Sequence, residues 1–180
     1  ANMQRREASI GFANLDDFIA SLDIRLSICP VNDITLSRVA QMTQKTNQFN
    51  LTTHRYTEQD LYLLLENGAQ IWTLSVADKF GDSGITGCII ITANAEIDTM
   101  LLSCRVLGKG IENAFLHYVL MHCGFENVCA QYIRTAKNSL VTDFYEKSGF
   151  ELVSQDSEHK YYKKDIMANK IEVKQLYTIN

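Results

Sequence analysis

The chain has almost no proline. Pro30 is the single one and glycines number nine, so no Pro/Gly-rich linker divides the 180 residues, and an apolar content of 46% is read as one core. Basic excess is lacking too. Seventeen Lys and Arg against 21 Asp and Glu leave a net charge of −4, which argues against nucleic acid as a partner, since that needs a broad basic face. Long hydrophobic runs are missing. The longest, such as residues 87–91 and 116–121, fall far short of the roughly 20 residues that cross a bilayer, so no membrane association is expected. No N-terminal stretch combines a basic start, an apolar middle and a small-residue cleavage site, and the expected localisation is cytoplasmic.

The five cysteines, Cys29, Cys88, Cys104, Cys123 and Cys129, form no CxxC pair and have no histidine at metal-site spacing. No metal is expected. An odd count inside apolar runs fits reduced thiols acting as small core hydrophobes. His117 and His122 are five apart and share no helix face, so the histidines are read as structural or exposed.

Periodicity then orders the chain. Residues 1–22 form a helical lead-in with Phe12, Leu15, Ile19 and Leu22 at three- and four-residue spacing. A strand carrying Ile24, Leu26 and Ile28 ends at Pro30. Asn32 or Asp33 caps a helix to about Thr46, and Thr57 with Asp60 approximates a capping box for a second helix. Strands follow at 70–77, 85–92 and 98–104, the first two joined by a turn at 81–84. A strong amphipathic helix runs from Gly110 to about Cys123, stopped by Gly124. A strand at 128–134, a short helix at 139–147 and strands at 150–153 and 159–164 complete an α/β (α+β) arrangement, a mixed sheet flanked by helices.

The sharpest local signal is Arg105-Val106-Leu107-Gly108-Lys109-Gly110, between a strand and a long helix. Glycines at a helix N-terminus let backbone amides approach an anion, the helix dipole assists, and Arg105 and Lys109 add charge. The spacing is neither a dinucleotide fingerprint nor a Walker loop. About 30 residues further on stand Asn138 and Phe144-Tyr145-Glu146-Lys147-Ser148-Gly149-Phe150. An RxxGxG turn opening a helix, then a strand, then Asn and FYEKxGF, resembles the GNAT acyltransferase superfamily over residues 23–164. The resemblance implies a splayed mixed sheet whose fourth and fifth strands part to admit the pantetheine arm of acyl-coenzyme A. It implies phosphate contacts from Arg105, Val106, Leu107, Gly108, Lys109 and Gly110, an arm contact from Asn138, and Tyr145 as the group that protonates the departing thiolate. The alternative for Tyr145 is a core aromatic, and Phe144 and Phe150 are assigned to packing.

A second resemblance is carried by Arg38, Ala40-Gln41-Met42 and Gln44-Lys45-Thr46-Asn47-Gln48-Phe49-Asn50-Leu51-Thr52-Thr53, and continued by Ile97-Asp98-Thr99 and Leu101-Leu102-Ser103-Cys104-Arg105. It is to HAD-type phosphatase-like proteins of methoxymalonyl-ACP and glyceryl-ACP biosynthesis, in which a GNAT-like domain follows a HAD domain. The likeness implies an acyl carrier protein as partner, coenzyme A or phosphopantetheine as cofactor, and a role in supplying a polyketide extender unit. The HAD motif DxDxT is absent here, so dephosphorylation is not assigned to this chain. Residues 1–22 are then expected to be a lead-in from a missing HAD-type N-terminal domain, 23–164 the GNAT-like domain, and 165–180 a C-terminal extension forming an extra strand or a partner contact.

For amine acylation the candidate bases are Glu96 and Asp98, each equally readable as a solvated turn carboxylate. For transfer between thiols Cys104 is a conceivable acceptor, its plain alternative being a buried strand cysteine. Gln44, Asn47, Gln48, Asn50, Thr52 and Thr53 are candidates for an acceptor wall, or else a hydrogen-bonded network fixing a tight helix-to-loop turn. The expected function is acyl transfer from acyl-coenzyme A or acyl-phosphopantetheine. The alternatives are a noncatalytic module that docks a carrier protein and a small-molecule N-acetyltransferase.

Overall fold

The computed structural model describes residues 2–12 and 14–180; Ala1 and Ala13 of the expected lead-in lie outside the described residues. Helices α1 (Asn2–Ser9) and α2 (Leu15–Ser21) precede β1 (Ile24–Pro30), α3 (Asp33–Lys45), α4 (Glu58–Glu66), β2 (Gln70–Asp78), β3 (Gly81–Ile91) and β4 (Glu96–Leu102). Then come α5 (Ile111–His122), β5 (Asn127–Ile133), α6 (Phe144–Lys147), β6 (Glu151–Gln155), β7 (His159–Asp165) and β8 (Tyr177–Ile179). The α3 cap is Asn32, whose side chain accepts from the Ile34 and Thr35 amides at 2.9 and 3.0 Å. Thr57 and Asp60 close a reciprocal capping box on α4.

Among the described residues eight strands form one sheet in the order β6-β7-β5-β4-β3-β2-β1-β8. Neighbours are antiparallel except β4/β5 and β1/β8, which run parallel. Alternation along β3 feeds two cores. Ile89 and Ile91 pack with Phe115, Leu116 and Val119 of α5, while Cys88 and Ile90 pack with Leu36, Val39 and Leu61 of α3 and α4. In β4 the register jumps from Ile90↔Thr99 to Ile91↔Ile97, so Asp98 is the extra residue of a bulge. Such a residue is re-aimed out of the strand's regular alternation.

Several boundaries differ from the sequence reading. The β2–β3 turn falls at Lys79 and Phe80 rather than at 81–84, because Asp78 Oδ1 accepts the Phe80 amide at 2.9 Å and closes the hairpin early. The lead-in is two helices, because Asn14 caps a new one through the Asp17 amide at 2.8 Å. Phe12 and Leu15 therefore stay exposed, while Ile19 and Leu22 enter the main core. The extension ends in β8, which extends the sheet beside β1. Cysteines are the clearest correction: Cys29, Cys104 and Cys129 are exposed, and only Cys88 and Cys123 are buried. Cys29 and Cys129 sit at outward positions of their strands. β4 stops at Leu102, so Cys104 opens a 3-10 turn (Cys104–Val106) instead of ending a buried strand.

Leu22 is fully buried and its carbonyl accepts the Lys79 amide at 2.9 Å. Leu22→Ala is expected to destabilise the fold by about 3 kcal/mol in urea unfolding, the usual cost of such a cavity. A loss below about 0.5 kcal/mol would show that the end of the lead-in is not part of the core.

Candidate functional site

The site is built where the sheet opens. β4 and β5 pair only through Glu96↔Cys129 and Ile97↔Ala130, then part toward their C-terminal ends. Parted strands leave facing rows of backbone donors and acceptors that need partners. Residues 49–52 of the α3–α4 connection supply them. The Leu102 amide donates to the Phe49 carbonyl at 3.0 Å, the Leu51 amide to the Met100 carbonyl at 3.1 Å, and the Ile133 amide to the Leu51 carbonyl at 2.8 Å. Asn50 bridges antiparallel to Leu101. The Thr52 hydroxyl donates to the Asp98 carbonyl at 2.8 Å, close to where the strands meet.

Asn138 fastens this segment. Its Nδ2 donates to the Asn50 carbonyl at 3.0 Å and the Ile133 carbonyl at 2.8 Å, and its Oδ1 accepts from the Thr135 amide at 2.8 Å and the Tyr132 hydroxyl at 3.2 Å. All four side-chain bonding positions of a fully buried amide are thus used. Phe49 and Leu51 are buried in the main core, Phe49 edge-on to Phe144 with ring centres 5.2 Å apart. The polar residues around them mostly build the turn. Asn50 Oδ1 accepts the Thr53 amide at 2.9 Å, Asn50 Nδ2 donates to the Thr46 carbonyl at 3.1 Å, Gln44 donates to the Tyr56 carbonyl at 3.0 Å, and Asn47 receives Arg55. Thr53 holds φ at +60°, a rare conformation for a β-branched residue.

Next to the junction of β4 and β5 the chain assembles a cluster that the periodicity did not reveal. Asp98 accepts from the Tyr56 hydroxyl at 2.7 Å and the Thr99 hydroxyl at 2.8 Å, and His54 Nδ1 lies 3.3 Å from its other oxygen, off the hydrogen-bond line. The Asp98 side chain is 18% exposed and that of His54 36%. Burial works against ionising Asp98, but contacts from His54, Tyr56 and Thr99 outweigh it and hold the carboxyl below its usual range. The same contact raises His54 above the ordinary imidazole value against the opposing effect of burial. The signal for His54 and Tyr56 was present only as THRY following an Asn-rich turn, with no spacing rule tying it to Asp98. Glu96, at the start of β4, is exposed and makes no hydrogen bond to this cluster, though its charge adds a small part to the rise at His54.

Tyr145 is 1% exposed, its ring packed among Phe144, Phe150 and Tyr162. Its hydroxyl is buried without a partner among the described residues, and burial first, then Asp98, pushes its pKa up. Cys104 stands apart from the Asp98 cluster. Its Sγ donates to Gln48 Oε1 at 3.3 Å beside a pocket of about 390 Å³ that Arg38, Lys45, Asn47 and Ser103 also line.

The RxxGxG turn follows β4. Gly108 and Gly110 hold φ at +81° and +72°, and Gly110 opens α5 without a side-chain cap. Among the described residues the amides of Gly108, Lys109 and Gly110 find no acceptor. Arg105 is exposed. Lys109 is half-buried, its pKa lowered by burial and then by Arg5 of α1, which itself pairs with Asp78 at 2.6 and 2.9 Å. The Tyr177 hydroxyl donates to the Lys109 carbonyl. An anion would thus meet three free amides, a helix N-terminus and one exposed guanidinium.

This architecture is shared with solved acetyltransferases. The ribosomal-protein-S18-alanine N-acetyltransferase of Escherichia coli aligns at a TM-score of 0.59 and 12% identity, over 84% of this chain and 99% of that one. A PaiA N-acetyltransferase of Thermoplasma acidophilum in complex with coenzyme A aligns at 0.58 and 17%, over 78% and 98%. A spermidine N-acetyltransferase of Vibrio cholerae in complex with CoA and spermine aligns at 0.54 and 11%, over 78% and 95%. No protein-family model and no curated protein matches the chain. The fold is the GNAT fold, a mixed sheet flanked by helices.

A folded pKa raised above the unfolded value means that the His54–Asp98 contact stabilises fully below about pH 6.5 and is lost as pH rises through the folded value. The His54 ring, followed by NMR, is expected to titrate above 6.5 in wild type and to fall to or below that value in Asp98→Asn. An unchanged titration in Asp98→Asn would remove Asp98 as the cause.

Proposed function

We propose that this domain handles acyl thioesters of phosphopantetheine, as acyl-coenzyme A or acyl carrier protein, and transfers the acyl group. The observation that carries the reading is the turn at Gly108–Gly110, with its three free amides opening α5 beside the parted strands. In this reading Arg105, Val106, Leu107, Gly108, Lys109 and Gly110 hold the phosphate end. Coenzyme A in two of the similar structures supports the choice of ligand. The phosphate end fits the residues present. The arm does not fit the gap as folded, because residues 49–52 take its strand edges and Asn138 is fully engaged with them.

His54 is the group suited to take a proton from an acceptor thiol or amine. It lies beside the junction of the strands, and Asp98 stabilises its charged form, raising its pKa above the ordinary imidazole value. Glu96 and Cys104 are weaker candidates for base and acceptor, being outside that cluster. The sequence likeness of Arg38 through Thr53 supports the finer assignment to glyceryl- or methoxymalonyl-ACP supply, with a carrier protein and a HAD-type domain as partners.

One observation favours a second reading, a noncatalytic module that docks a carrier protein: the Tyr145 hydroxyl is sealed in the core, where it reaches no departing thiolate. Thiol release from acetyl-, malonyl- and glyceryl-coenzyme A with holo carrier protein separates the two. Release in wild type, lost on the order of tenfold or more in His54→Ala and unaffected by Tyr145→Phe, is the expected result. Carrier-protein binding without any release in wild type would select the docking module. Calorimetry with ADP tests the turn, since Gly108→Val puts a β-branched residue at φ +81° and should weaken binding on the order of tenfold.

A further inference from the structure

We infer that residues 49–53 are an internal occupant of the site, a strand segment that stands where an extended amide-bearing ligand would lie and must withdraw before the ligand enters. This rests on the thioester reading above. The groups that face the gap are backbone ones: the carbonyls of Asp98 and Met100 and the amide of Leu102 on β4, and the amide of Ile133 on β5. An extended chain with amides spaced along it satisfies such edges by strand addition, and the segment from Phe49 to Thr52 does so from the outer end of β4 inward. Filled edges and a buried Phe49 leave no second place for an arm between the strands.

The segment is attached to the sheet by three backbone bonds, the Thr52 hydroxyl and the Asn138 amide. Phe49 and Leu51 anchor it in the main core, so its withdrawal carries the cost of exposing those two side chains. At its end Thr53 holds φ +60°, a conformation a β-branched residue leaves readily once the neighbouring bonds are broken. His54 follows directly, so withdrawal of the segment displaces His54 from Asp98, and reseating it restores the pair. Entry of the ligand arm and the position of the candidate base are therefore coupled through one stretch of chain.

A ligand that binds only the open form has its affinity reduced by the fraction of molecules that are open. Weakening the closed form should then tighten binding of a ligand that has an arm and leave one without an arm unchanged. Amide exchange by NMR, with coenzyme A and with ADP as probes, makes the test. Both probes should protect Gly108, Lys109 and Gly110, and only coenzyme A should speed exchange of Leu51. Thr52→Val, which removes the bond to the Asp98 carbonyl, should bind coenzyme A about fivefold more tightly, with ADP affinity unchanged. Asn138→Ala should act in the same direction, and Thr52→Val, nearly isosteric, keeps the test available where Asn138→Ala does not fold. Coenzyme A bound with Leu51 still protected, or Thr52→Val binding both probes as wild type does, overturns the inference and leaves the thioester reading intact. Failure of both probes to protect the turn overturns the thioester reading and, with it, this inference.

Discussion

Everything in the site depends on how the backbone between β4 and β5 is satisfied. Two parallel strands that separate after two paired positions expose amides and carbonyls that direct bonds can no longer reach, and each such group left buried and unpaired costs on the order of 1–3 kcal/mol. Here the chain settles the matter itself. The segment from Phe49 to Thr52 bonds to both strands, and Asn138, which uses every bonding position it has, ties that segment to the loop after β5. The opening is thus bridged by backbone bonds from the α3–α4 connection.

This arrangement gives the two ends of the site different characters. At the outer end the turn from Ser103 to Gly110 keeps unused amides at the start of α5 and an exposed Arg105. At the inner end the bulge at Asp98 gathers Tyr56, Thr99 and His54 around one carboxylate. The α3–α4 connection links the two, since it carries Gln48 against Cys104, fills the gap with Phe49 to Thr52, and delivers His54. The two ends are joined by a stretch of seven residues, 48–54. The termini add to the outer end: α1 brings Arg5 near Lys109, and β8 brings Tyr177 onto the Lys109 carbonyl.

Much of the fold was legible because its elements obey single periodicities. Ile24, Leu26 and Ile28 alternate, α5 carries its stripe, and Asn32, Thr57 and Gly124 mark helix ends as their chemistry dictates. The turn at Gly108–Gly110 was legible only in context, since two glycines before a helix also serve a purely structural turn and it was the later Asn138 and FYEKxGF motif that gave it meaning. Periodicity fails where a side chain overrides it, as when Asp78 closes its hairpin early or Asn14 interrupts the lead-in. The Asp98 cluster was half visible, because Asp98 stands at a strand start while its partners His54 and Tyr56 arrive from a loop over 40 residues earlier. Gln44, Asn50 and Thr52 attracted notice as polar residues, but their bonds run largely to backbone, and no sequence pattern distinguishes such a residue from a ligand contact. Tyr145 illustrates the converse: the motif around it is recognisable, and its hydroxyl is nevertheless walled in by aromatic neighbours.

The gap between β4 and β5 is bridged by the chain's own backbone when no ligand is bound. Scalar couplings across hydrogen bonds, measured by NMR on the ligand-free protein, read this directly. Couplings from the Leu51 amide to the Met100 carbonyl and from the Ile133 amide to the Leu51 carbonyl are the predicted result. Absence of both, with the Leu51 amide exchanging like an exposed loop, would contradict it.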